Sequence, residues 1–215
     1  EVISNVAIKN LGGEIGSRNP VHPNDHVNKG QSSNDVIPTA IHIAGCIGIT
    51  ESLIPSLEKL KNSLSEKSEE FWDVIKTGRT HLQDATPIRL GQEFLGYSGQ
   101  IDESIKRAKN SLNELSILAL GGTAVGTGIG MQKGFSKKVI EKLSKRFKIN
   151  FTESSNHFHS QSTIDSIVSS SGSLKTIAVS LMKIGNDVRW LGSGPRAGIG
   201  EIELPEVQPG SSIMP

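Results

Sequence analysis

Hydrophobic positions along the chain fall into long stripes at helical spacing. Leu53, Leu57, Leu60 and Leu64 recur at intervals of four, three and four, which places them on one face of a helix. The helical pattern begins near Ser33. Asn34 and Asp35 suit its first turn, Pro38 is tolerated only near a helix start, and Pro55 predicts a kink. A second stripe runs through Leu90, Phe94, Tyr97, Ile101, Ile105, Ala108, Leu112 and Leu115. It predicts a helix of roughly thirty residues, about 45 Å long at the standard rise. A third runs through Ile164, Ile167, Leu174, Ile177, Leu181, Ile184, Val188 and Leu191, predicting a helix from Thr163 to Leu191. A shorter stripe of Val139, Ile140, Leu143 and Phe147 follows Phe135 and Ser136, which read as a staple and a cap.

Between the stripes the chain is rich in turn formers. Leu11-Gly12-Gly13, Gly16, Pro20, Pro23, Asn24 and Gly30 predict an irregular first thirty residues. Val74 to His81 reads as a short extended piece, Gly121 to Gly134 as a Gly-rich connector, and Gly192 to Pro215 as loop. No segment alternates with period two for long, which argues against a sizeable sheet. The expected fold class is all-α, an elongated long-helix bundle.

Composition narrows the function. The 215 residues carry 23 Lys+Arg against 22 Asp+Glu, net +1, with no basic run, so a nucleic-acid surface has little support. Aromatics make up 4%, poor for a base-stacking platform. The longest apolar run, Ile41 to Ile49, is interrupted by His42 and is too short to span a bilayer, so no membrane partner is expected. A single cysteine, Cys46, excludes an internal disulfide framework and fits a reducing compartment. The chain opens at Glu1 and stops at Pro215 straight after a Gly-Ser-Ser run; we read it as a fragment.

Polar residues concentrate in three connectors: His22 to Asp35, Thr77 to Pro87, and Pro205 to Pro215. Loops held by a rigid scaffold are where chemistry collects, and the same residue types also serve as helix caps. Gln31-Ser32-Ser33-Asn34-Asp35 sets hydroxyls and an amide at a helix start, where free N–H groups can hold a carboxylate or phosphate; a plain N-cap box reads the same. In Gly78-Arg79-Thr80-His81, the histidine is either a general acid or base or an exposed loop residue. Gly210-Ser211-Ser212 offers a nucleophile, a base, anion ligands or a flexible linker, and no Gly-x-Ser-x-Gly elbow is present. Gly121 to Gly128 lacks the Gly-Lys-Ser/Thr ending of a phosphate loop and follows a helix, so close packing is the better reading. His157 and His159, two apart, do not share a helix face, and no Cys/His cluster supports zinc. Neither a metal nor an organic cofactor is expected.

Several motifs together carry a resemblance. His22-Pro23-Asn24-Asp25-His26-Val27-Asn28-Lys29, Gln31-Ser32-Ser33-Asn34-Asp35, Gly78-Arg79-Thr80-His81-Leu82-Gln83-Asp84-Ala85-Thr86-Pro87, Leu90-Gly91-Gln92-Glu93 and Gly121 to Gly128 resemble the class II fumarase family. So do Ser180-Leu181-Met182-Lys183-Ile184 and the run from Asn186 to Arg196, and Gly210 to Pro215 begins the signature of the wider fumarase/aspartase superfamily. The resemblance implies reversible addition of water to fumarate, giving L-malate. It implies Ser211 as the base that removes the proton beside a carboxylate, and His81 as the residue handling the proton of the leaving water. Thr80, Ser32, Ser33, Asn34 and Ser212 then contact substrate, while His22, Pro23, Asn24 and Asp25 form a second dicarboxylate site. It also implies that residues 1–31 end an N-terminal domain, that 32–215 belong to a central bundle domain cut at the catalytic loop, and that homotetramers share each active site among three subunits. The location it implies is cytoplasmic, or the mitochondrial matrix for a eukaryotic form.

Departures from the family pattern are Gly30, Gly130, Val207 and Gln208, and the segment Asn156-His157-Phe158-His159-Ser160. Gln208 resembles the aspartases, which keeps an aspartate ammonia-lyase as an alternative. The lysine and asparagine that the family supplies beyond the Met-Pro are not in this sequence, nor is its N-terminal substrate loop. A catalytically silent helical fragment is therefore the third reading.

Overall fold

The computed structural model describes residues 1–206 and 208–210. Helices form where the stripes predict them. Helix α2 spans Ser33–Ile47, α3 Ile54–Glu70, α4 Leu90–Leu115, α5 Phe135–Phe147 and α7 Asp165–Leu191. The disturbance expected at Pro55 takes the form of a π-helical segment, Gly48–Leu53, joining α2 to α3. Proline has no N–H for the next ladder bond, and a widened turn absorbs the mismatch. Pro38 sits inside α2.

Several features differ from the sequence reading. Val2–Asn10 forms helix α1 although the first thirty residues read as irregular; Ile8 is fully buried on it, and this burial outweighs the turn formers downstream. The extended piece is strand β1, Ile75–Thr80, and it pairs antiparallel with an unexpected β2, Gln83–Arg89. A short helix α6 covers His157–Ser162, capped by the Asn156 side chain accepting from the His159 amide. Helix α5 is preceded by Gly134 in a left-handed conformation, not capped by Ser136; the Ser136 hydroxyl instead donates to Glu153 at 2.8 Å. A further two-residue parallel pair joins β3, Ile117–Leu118, to β4, Thr152–Glu153.

The chain divides into two compact units. Unit 1 comprises Glu1–Ser56 and Lys106–Ser173; unit 2 comprises Leu57–Ile105 and Leu174–Pro215. The core of unit 1 includes Ile8, Cys46, Ile49, Ala108, Leu115, Leu118, Ile140 and Phe151. That of unit 2 includes Leu57, Leu64, Leu90, Phe94, Tyr97, Ile101 and Ile177, with Phe71, Phe94 and Tyr97 in successive edge-to-face contacts at 5.2 and 5.6 Å. The second stripe is buried at nearly every position. The third is not: Ile164, Leu174 and Leu181 are exposed, as are Val168, Val179 and Met182 on the same helix.

The continuous helical stretch Ser33–Glu70 reaches a mean hydropathy of 1.4 over an 18-residue window. By length and composition it is apolar enough to cross a membrane, which the interrupted Ile41–Ile49 run did not suggest. Two of its polar side chains are bonded to protein. Asp35 is fully buried under backbone amides, and the ring of His42 bonds the carbonyls of Leu115 and Ile117 at 3.1 and 2.9 Å. Of the apolar window, 22% is buried.

Candidate active site

In unit 1 the first turn of α2 is built by two side chains. Ser32 is extended at the N-cap, and its Oγ accepts from the Asn34 amide at 3.2 Å. Asp35 Oδ1 accepts from the Ser32 amide at 2.8 Å, completing a capping box. The other oxygen, Oδ2, accepts from the amides of Gly121 and Thr123 at 3.2 and 3.0 Å. One fully buried carboxylate therefore satisfies three backbone donors, two of them far along the chain. Asn34 Nδ2 adds a 2.8 Å bond to the Ala124 carbonyl. Together they fasten the Gly-rich segment to the helix start, leaving Ser33 and Asn34 exposed at its rim.

Gly121 and Gly122 sit against neighbouring side chains. A Cβ on Gly122 would overlap the Gln161 side-chain amide, and one on Gly121 (φ +116°) would stand 2.6 Å from Glu153 Oε1. This agrees with close packing and not with a phosphate cradle.

His22, Pro23, Asn24 and Asp25 gather on a π-helical turn, Pro23–Val27. His22 Nδ1 lies 3.3 Å from the Asp25 amide and 3.2 Å from Asp25 Oδ2. As an acceptor it caps the turn; as a donor it pairs with the carboxylate. His26 Nδ1 accepts from the His22 amide at 2.8 Å.

In unit 2 the β1–β2 hairpin carries the histidine. Thr80 pairs with Gln83, leaving a two-residue loop of His81 and Leu82 with φ of +51° and +63°. Positive φ at both loop positions is the type I′ arrangement, whose handedness matches the strand twist. His81 and Leu82 are exposed at the tip, beside Thr80. The register shifts between Thr77 and Arg79, at Gly78, where a Cβ would stand 2.8 Å from the Thr86 carbonyl.

Charged residues brace the hairpin stem. Lys76 Nζ, its side chain only 6% exposed, pairs with Glu93 at 2.8 Å and with Glu201. Arg79 Nη2 pairs with Glu201 at 2.6 Å. Burial pushes the Glu201 carboxyl up, but hydrogen bonds from Arg79 and Lys76 outweigh it and hold the group below the usual carboxylate range. The Arg79 guanidinium is raised, chiefly by its bond to Glu201. Among the described residues, no group of three or more His, Cys, Asp or Glu side chains is placed to hold a metal ion.

The structure thus brings together Ser32, Ser33 and Asn34 on one turn, His22 to Asp25 on another, and Thr80 with His81 on the hairpin. Ser211 and Ser212 lie outside the described residues. Two residues organise these places: Asp35, which the sequence suggests only as a first-turn or cap residue, and Glu201, which it does not single out. Asp35 had a signal, the Ser-x-x-Asp spacing of a capping box; Glu201 had none.

The entire chain, residues 1–215, matches the family described as lyase. The chain belongs to that lyase family. It is 56% identical over 215 residues to the mitochondrial fumarate hydratase of Danio rerio, covering all of this chain and 42% of that protein. To the class II fumarate hydratase of Wigglesworthia glossinidia brevipalpis it is 54% identical, again over the whole chain and 46% of the relative. The crystal structure of class II fumarase from Schistosoma mansoni superimposes with a TM-score of 0.93 at 41% identity, covering all of this chain and 48% of that one. The chain therefore spans less than half the length of these lyase relatives, and their names do not favour the ammonia-lyase alternative raised by Gln208.

Proposed function

We propose that the complete protein catalyses the reversible hydration of fumarate to L-malate. The observation that carries this reading is the Thr80-His81 tip, a histidine held by a hairpin in a chain more than half identical to proteins named fumarate hydratase. On this reading Ser211 removes a proton from the carbon beside one malate carboxylate. The resulting intermediate carries a second negative charge on that carboxylate, which preorganised donors stabilise. Ser32, Ser33, Asn34, Thr80 and Ser212 provide such donors. His81 delivers a proton to the departing hydroxide, so that water leaves and the double bond forms. His22, Pro23, Asn24 and Asp25 hold a second dicarboxylate.

The assembly belongs to the same proposal. Exposed apolar residues along α7 support partners in a homotetramer with active sites shared among three subunits. Residues 1–31 then close an N-terminal domain and 32–215 belong to the central bundle. Curated relatives include mitochondrial and bacterial proteins, and the proposed location is the cytoplasm or the mitochondrial matrix accordingly.

The test is a parallel assay of the complete protein on L-malate and L-aspartate, following fumarate absorbance. Fumarate should form from malate alone, and Ser211→Ala should abolish it. Conversion of aspartate, or no conversion of malate, would overturn the reading.

A further inference from the structure

The ion pairs of unit 2 form an alternating chain: Glu93, Lys76, Glu201, Arg79. Two of the four, Lys76 and Arg79, sit on β1, whose far end is Thr80. Glu93 sits in the first turn of α4. Glu201 comes from the segment after α7, ten residues ahead of Ser211 in sequence. It is the only member of the quartet from that segment, and it binds both cations of the strand.

The backbone around Glu201 is fixed independently. Its amide donates to the Leu191 carbonyl at 2.8 Å, and the Ile202 amide reaches the same oxygen at 3.3 Å. Gly200 and Ile199 donate to the backbone and hydroxyl oxygens of Ser193 at 2.6 and 3.0 Å. A Cβ on Gly198 would overlap the Ser193 backbone, so the loop closes on itself at the end of α7. Glu201 is thus held through its backbone by a helix end and through its side chain by the hairpin stem.

We propose that Glu201 is a positioning residue that clamps the root of the Ser211 segment to the hairpin presenting Thr80 and His81. This rests on the hydratase reading. The clamp joins two parts of one chain, so a shift of the hairpin is passed to the loop root and the reverse. A surface ion pair would be too weak for this. Here Lys76 is more than nine-tenths buried, and removing its partner leaves a buried charge under-compensated.

The test uses Glu201→Gln in the complete protein, with two readouts. Hydrogen exchange should quicken in both residues 75–89 and residues 192–206. The kcat for malate should fall about tenfold or more, as misplacement of catalytic groups does, while KM stays within about threefold. Leu64→Ala, which empties a buried position of α3 in the same unit, should lower Tm without altering kcat, separating positioning from mere loss of stability. Faster exchange in one segment only, or an unchanged kcat in Glu201→Gln, overturns the clamp. Coupled exchange in a protein whose unsubstituted form converts neither malate nor fumarate supports the clamp and overturns the hydratase reading instead.

Discussion

The Asp35 carboxylate accepts from the Thr123 amide at 3.0 Å, across 88 positions of sequence. The same side chain caps α2 through the Ser32 amide, so a local helix signal and a long-range loop anchor share one residue. Asp35→Asn keeps the shape but turns a donor toward amides that also donate. It should destabilise the complete protein by about 3 kcal/mol, as loss of buried charge-assisted hydrogen bonds does. Asn34→Ala, which removes one exposed side-chain bond, should lose about 1 kcal/mol. Urea unfolding midpoints measure both, and equal midpoints for the two variants would refute the ranking.

The left-handed turn at His81 and Leu82 separates stability from activity. Asparagine tolerates positive φ better than most residues, so His81→Asn should leave Tm unchanged; on the proposed hydratase reading, hydration by the complete protein should fall about a hundredfold or more, the size of a general acid's contribution. Leu82 is 73% exposed and loses little packing on truncation. Leu82→Gly should therefore raise stability by about 0.5 to 1 kcal/mol by relieving the left-handed conformation. A drop in Tm for Leu82→Gly would mean that the turn carries no strain.

Burial pushes the Cys46 thiol up from 9.0 to about 11. The fold favours the neutral thiol, so this contribution is complete below pH 9 and is lost as pH climbs from 9 through 11. Stability should fall across that window, and less steeply in Cys46→Ala. At pH 8 the thiolate is scarce, and Cys46 should react with a disulfide reagent only as fast as the protein opens. Rapid labelling of the native protein, with the peptide located by mass, would contradict this.

Glycines within one helix should respond oppositely. A Cβ on Gly91 would overlap the Ser68 carbonyl and stand 2.9 Å from the Trp72 Cα, all backbone that does not swing aside; one on Gly99 meets nothing within 4 Å. Gly91→Ala should therefore destabilise by about 2 kcal/mol through overpacking. Gly99→Ala should gain close to 1 kcal/mol of helix propensity, unless a second copy packs against that face. Melting the two variants side by side decides it, and a loss at Gly99 would itself locate an interface.

Much of this was legible from spacing alone. The run from Leu90 to Leu115 keeps one apolar face and folds as that face predicts, because a buried helix must repeat near 3.6 residues. The start of α2 was legible for a local reason, since Ser32 and Asp35 stand at capping distance in sequence. Strand β2 was hidden because Gln83 to Arg89 contains Pro87 and no apolar alternation, and its pairing comes from β1 and the turn. His81-Leu82 lacks the Asn-Gly signature of its turn type. Helix α1 was masked by the glycines that follow it. In the site, the hydroxyls and histidine could be named from motif. The Asp35 bond to Thr123 and the Glu201 pairing with Arg79 link positions 88 and 122 apart, and no local pattern encodes such meetings.

Glu93, Lys76, Glu201 and Arg79 carry two negative and two positive charges in alternation. Seen from solvent they cancel, and the whole chain carries net +1. Beyond a screening length of about 8 Å at physiological salt, a dianion approaching this chain meets almost no attractive field. On the proposed hydratase reading, capture by this chain then depends on collision and short-range donors, not on steering. Under subsaturating malate or fumarate, this chain's own contribution to the encounter rate should be nearly flat in ionic strength.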